Sequence, residues 1–196
     1  MWNLPLTVEI DGKEYVIRNK CDYRVVLDVI AALNDNELEM ENRIQCAVFI
    51  FYEDLSVLDT LLETDRSKYK ETIEALVKEM FKVINNGAEE TEQNTSNKPQ
   101  LMDWQHDFKQ LAPPISRILG YDVRTPDKYT HWWTFLGGYM EIGECTFSNV
   151  VSIRSKKAKG KKLEKWEEEF YRENRKMIDL PLLLTTEEQE LLDSDW

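Results

Sequence analysis

Apolar residues recur along this chain with two different periods. Near the start, Thr7-Val8-Glu9-Ile10 and Glu14-Tyr15-Val16-Ile17-Arg18 alternate or run β-branched, with Asp11-Gly12 between them. A period of two fits a strand with one buried face, and Asp-Gly readily supplies the positive φ of a tight turn, so the pattern predicts a β-hairpin. From Tyr23 onward the period lengthens to three and four. Tyr23, Val26, Leu27, Ile30 and Leu33 share a helical face behind Asp22, a natural cap, and this helix is expected to end near Asn34. Met40, Ile44, Ala47, Val48 and Phe51 predict a second helix. Cys46, Phe49 and Ile50 make its later half apolar almost all round, which places it at the centre of the domain. A short helix is expected after Ser56. A long one is expected over 67–84, where Tyr69, Ile73, Leu76, Val77, Met80 and Ile84 repeat and Asn85-Asn86-Gly87 provides the stop.

The rhythm fails over residues 85–100, which contain no large apolar side chain. Such a stretch cannot offset the entropy of ordering, so a flexible linker is expected at 87–100. The helical period resumes with Trp104, Phe108, Leu111, Ile115, Ile118 and Leu119, interrupted by Pro113-Pro114, which predicts two helices meeting at a bend before Gly120. Pro126 is expected to start a helix carrying Trp132, Trp133, Leu136, Tyr139 and Met140, in which Gly137 and Gly138 lower helix propensity and admit close approach. Thr146 suits the cap of a helix with Phe147, Val150 and Val151, and a last long helix is expected to carry Leu163, Trp166, Phe170 and Met177. Beyond Pro181, Thr185 and Thr186 precede Glu188 and Gln189 as in a capping box. The expected fold is mainly α, a helical bundle with an N-terminal β-hairpin and two helical halves, 1–86 and 101–196.

Charge and composition narrow the functional classes. The net charge of −12 disfavours wholesale binding to nucleic acid, because phosphate contacts need cations. No apolar run approaches the roughly 20 residues of a membrane span, and no signal peptide is apparent, so a cytoplasmic protein is expected. Cys21, Cys46 and Cys145 lack paired spacing and are read as reduced thiols.

Candidate chemistry concentrates in Tyr129-Thr130-His131-Trp132-Trp133-Thr134-Phe135. His131 with Cys145 has the ingredients of a thiol nucleophile and its base, yet no third group to orient the imidazole is recognisable, and a buried structural histidine is favoured. His106 and His131 lack the i, i+4 ligand spacing of a helical zinc site. No phosphate loop or nucleophile elbow is present, so no enzyme, cofactor or metal is expected. Adjacent tryptophans on a helix point about 100° apart, so either the helix is central or one of Trp132 and Trp133 meets a partner. Arg154, Lys156, Lys157, Lys159, Lys161, Lys162 and Lys165 form a basic cluster with only Glu164 among them. Lys161 and Lys162 are expected at a helix N-terminus, where the macrodipole disfavours cations, so they suit an acidic surface or phosphate.

Several strings point further: Leu4-Pro5, Ile10-Asp11-Gly12-Lys13, Asp22-Tyr23-Arg24, Phe51-Tyr52, the stretch Asp103 to Asp107, His131-Trp132-Trp133-Thr134-Phe135, Glu141-Ile142-Gly143, Phe147 through Arg154, and Gly160-Lys161-Lys162-Leu163. In these the chain resembles, to about Leu180, the "gene product fifteen" family of phage tail proteins. The resemblance implies a non-enzymatic tail assembly chaperone that binds the tape-measure protein, the tail-tube protein or both in the host cytoplasm, with room for self-association. Such a client is a long amphipathic helix, and a chaperone for it needs an apolar groove. Trp132, Trp133, Phe135, Tyr139 and Phe147 are expected to line that groove, with Arg154, Lys161 and Lys162 on its rim. The competing reading is a small nucleic-acid-binding or regulatory phage protein that uses the basic cluster 154–165.

Overall fold

Asp11 and Gly12 both adopt positive φ, 52° and 76°, and turn strand β1 (Thr7–Ile10) into antiparallel strand β2 (Lys13–Val16). Val8 lies opposite Tyr15 in this register, and both are buried. The computed structural model describes residues 3–88 and 99–181. Among these the fold is mainly α with this one hairpin. Most of the linker expected at 87–100, and the capped segment expected beyond Pro181, lie outside the described residues.

The chain divides into two compact units. Within the described residues the first comprises 3–88 and 129–133, so the start of the aromatic run packs with the N-terminal half. Its helices are α1 (Tyr23–Leu33), α2 (Met40–Phe51), α3 (Ser56–Thr64) and α4 (Arg66–Ile84). Asp22 and Asp65 cap α1 and α4 by accepting backbone N–H bonds in the first turn. Val26, Val29, Val48, Phe51, Leu76 and Met80 are fully buried, each burial worth roughly 1.5–3 kcal/mol. The guanidinium of Arg18 donates to the carbonyls of Phe49, Ile50 and Tyr52 and so satisfies the orphan acceptors at the end of α2. The later half of α2 is not buried all round, since Phe49 is 46% exposed and Cys46 is exposed.

The second unit comprises 99–128 and 134–181 among the described residues. Helix α5 (Trp104–Leu119) is continuous through Pro113 and Pro114, against the expected bend. Leu111, Ala112, Pro114 and Ile115 are all buried, so packing on both sides of the prolines holds the axis that their missing N–H groups would loosen. Helix α6 (Trp132–Met140) starts six residues after Pro126 rather than at it. In α7 (Thr146–Ala158) Thr146 is the first helical residue, and the cap position belongs to Cys145, whose N–H donates to Ser148 Oγ. The expected last long helix is two, α8 (Lys165–Glu173) and α9 (Arg175–Ile178), separated at Asn174. Gly138 needs its missing side chain: a Cβ there would lie 3.2 Å from Ile115 and 3.3 Å from Leu119 of α5.

Candidate functional site

The aromatic run is held by backbone pairing before it becomes helical. Tyr23 N–H donates to Thr130 O, Trp132 N–H to Cys21 O, and Thr130 N–H to the Asp22 carboxylate, at 2.9, 2.8 and 3.0 Å. This short extended pairing keeps residues 126–131 out of a helix and delays α6 to Trp132.

His131 is buried, and both ring nitrogens are engaged. Trp133 N–H can only donate, so Nδ1 accepts from it at 3.0 Å; Nε2 therefore carries the hydrogen and donates to Pro5 O at 3.1 Å. Burial lowers its pKa, against smaller upward effects of the Pro5 carbonyl and Asp22. A neutral imidazole with no free lone pair is a structural element, as the sequence favoured. Cys21 lies fully buried in the same unit, and burial pushes its thiol up to about 12, which leaves it unreactive.

The two tryptophans answer the question their adjacency posed. Trp132 Nε1 donates to Ile84 O at 2.8 Å and Trp133 Nε1 to Val83 O at 2.7 Å. Pointing in different directions from one backbone, the indoles reach consecutive carbonyls at the end of α4: Trp132 satisfies Ile84 O, which the helix terminus leaves open, and Trp133 adds a second donor to Val83 O, which also accepts from Asn86 N–H at 3.2 Å. Trp132 is only 2% exposed and offers no surface.

In the second unit, Phe135 and Phe147 are also buried, while Trp104 and Tyr139 pack beside them. These side chains form a core, where an open groove was expected. Arg154 was expected on a rim and is instead interior. Its guanidinium grips Asp107 through two bonds of 2.7 and 2.8 Å and donates to the carbonyls of Leu101, Met177 and Ile178. All five N–H groups are thereby used. Lys161 and Lys162 are exposed, but they follow the C-terminus of α7 rather than open a helix, and Glu164 occupies the cap of α8. Neither lysine therefore sits at the helix N-terminus where the macrodipole would disfavour it. Lys156 binds both oxygens of buried Glu167, and Lys157 binds Asp179. Lys159, Lys161, Lys162 and Lys165 have no side-chain partner among the described residues.

The open apolar surface lies elsewhere, in the first unit. Between the first half of α2 and the outer side of α4 runs a groove of about 1000 Å³. Met40 and Ile44 line one wall; Tyr69, Ile73, Val77 and Phe81 line the other. The core stripe of α4 is Thr72, Leu76, Met80 and Val83, so the groove stripe lies about 100° around the same helix. Met40 is 64% exposed at the mouth. Sequence reading merged the two stripes into one face. The signal was present, since both repeat at helical steps of three or four residues, but a helix with two apolar stripes looks the same whether the second is covered or open.

Among the described residues no group of three His, Cys, Asp or Glu side chains could hold a metal ion, and no helix is long and apolar enough to cross a membrane. A family model described as Bacteriophage Gp15 protein matches residues 2–180. No curated protein and no solved structure matches the chain.

Proposed function

The chain belongs to the Bacteriophage Gp15 family, and from that premise we propose that it is a tail assembly chaperone that binds the tape-measure protein, the tail-tube protein or both in the host cytoplasm, with no catalytic step of its own. The observation that carries this reading is the groove between α2 and α4. A chaperone for an aggregation-prone client needs apolar surface that its own fold leaves uncovered, and Met40, Ile44, Ile73, Val77 and Phe81 supply it within reach of water.

Co-expression with the tape-measure protein tests the proposal. The client is expected in the soluble fraction when the intact chain is present, and in the pellet when Val77→Asp replaces it. A client that is equally soluble without the chain overturns the reading. The nucleic-acid alternative retains four unpaired lysines at 159–165, because Arg154, Lys156 and Lys157 are committed to Asp107, Glu167 and Asp179. Filter binding at low salt discriminates, since that alternative requires retention that falls steeply as salt rises.

A further inference from the structure

The groove between α2 and α4 has a shape and a polarity that describe what fits it. From Tyr69 to Phe81 its α4 wall extends about 18 Å, the length of a three- to four-turn helix. Both walls are helical surfaces made of side chains. Neither offers a free strand edge, so an extended peptide would enter with its backbone groups unpaired, whereas a helix brings its own hydrogen bonds and lays a ridge between two ridges.

The two lips differ in charge. The α4 lip reads Lys70, Glu74, Lys78, Lys82, three cations to one anion at four-residue steps; the α2 lip offers Glu41 and Gln45. Lys82 already lies 3.7 Å from Glu79, while Lys70 and Lys78 have no ion pair among the described residues. In a chain of net charge −12, two lysines without an ion pair among the described residues, beside half-buried apolar side chains, are a local inversion of sign.

Resting on the reading of this groove as the binding surface, we propose that it receives one amphipathic helix of a partner protein, with carboxylates along the flank that meets α4 and neutral or basic side chains along the flank that meets α2. The apolar stripe supplies attraction, and the lysines fix which way round the helix lies. A second copy of this chain is a poorer occupant. Face to face it presents either another lysine-rich lip or only Glu41 and Gln45, which leaves cations unmatched.

The test uses the full chain and fluorescently labelled synthetic helices of about four turns that share one leucine stripe. They differ only in whether the flank beside it is acidic or basic. Anisotropy at low salt is expected to show the acidic-flank helix binding roughly tenfold tighter, the sum of two modest rim pairs, with the preference shrinking as salt rises. Exchanging Lys70→Glu and Lys78→Glu together should invert the preference without lowering the melting temperature, because both side chains are exposed. Val77→Asp should abolish binding of both helices. Equal binding of the two peptides, or a preference unchanged in the double variant, overturns the proposal. So does binding that appears only when the chain is shortened after Pro181, which makes its own C-terminal segment the occupant. A dimer that Val77→Asp dissociates in sedimentation likewise overturns it in favour of a second copy. The client reading fails separately: peptide preference with no effect on tape-measure solubility refutes the client and leaves the groove, and the reverse result does the opposite.

Discussion

The interior of the second unit and the outer side of α4 treat demanding side chains in opposite ways. Around Arg154 every N–H finds an acceptor, and Asp107 also accepts from the N–H of Asp103 at 3.0 Å. Along α4 a whole apolar stripe is left in contact with solvent. Breaking one bond of that buried cluster leaves a charge without its partner, whereas changing one residue of an uncovered stripe costs the fold little. The difference separates a surface whose polar groups are all satisfied within the fold from one that the fold leaves uncovered.

The comparison breaks most sharply at the ion pair. Asp107→Ala leaves a buried guanidinium without its counter-charge and should cost about 3–5 kcal/mol in urea unfolding. A loss below about 1 kcal/mol would mean that the guanidinium is not held buried by its carboxylate. Trp132→Phe keeps most of the packing but leaves Ile84 O without its donor, for an expected loss of about 1–3 kcal/mol. Trp133→Phe should cost less, because Val83 O keeps the N–H of Asn86, and a neutral result for Trp132→Phe would remove its indole from the role of helix cap.

A smaller effect concerns pH. His131 has a lowered pKa in the folded chain, chiefly from burial, so the unfolded state takes up the proton first as pH falls. Its contribution is constant above the unfolded value near about 6.5 and is lost progressively below it, because a proton on Nδ1 would face the Trp133 N–H. Denaturation midpoints at mildly acidic and neutral pH should differ more for the unmodified chain than for His131→Asn. The depressed carboxyls of Glu167 and Asp179 act at lower pH and do not confuse that window: their stabilisation is complete above their unfolded values and fades only as pH falls through the folded ones. The smallest effect is expected in the groove. Val77→Ser should change stability by no more than about 0.5 kcal/mol while weakening client binding. A large destabilisation would mean that the stripe belongs to the core after all.

Much of the first unit was legible from local pattern. Asp11-Gly12 dictates its own turn, Asp22 its own cap, and Asn85-Asn86-Gly87 its own stop, each within a few residues. What escaped was decided at long range. Pro113 and Pro114 stay inside α5 because their neighbours are buried, and nothing within four residues announces that. Arg154 looked like one more member of a basic cluster until its carboxylate partner, 47 positions away, was in place. The groove was hidden for a related reason: a second apolar stripe on α4 gives no sign, in sequence, of lacking a neighbour.

The pairing of residues 129–133 with the first unit also orders events in time. Synthesis runs from the N-terminus, and a ribosome that has completed α4 has yet to make the indoles that close its last carbonyls. Until residue 133 has emerged, Ile84 O lacks its indole donor, and Cys21 O and Tyr23 N–H lack their backbone partners. Closing so distant a loop is slow relative to local helix formation. Emergence of residues 129–133, rather than of the end of α4, therefore supplies these partners to the first unit.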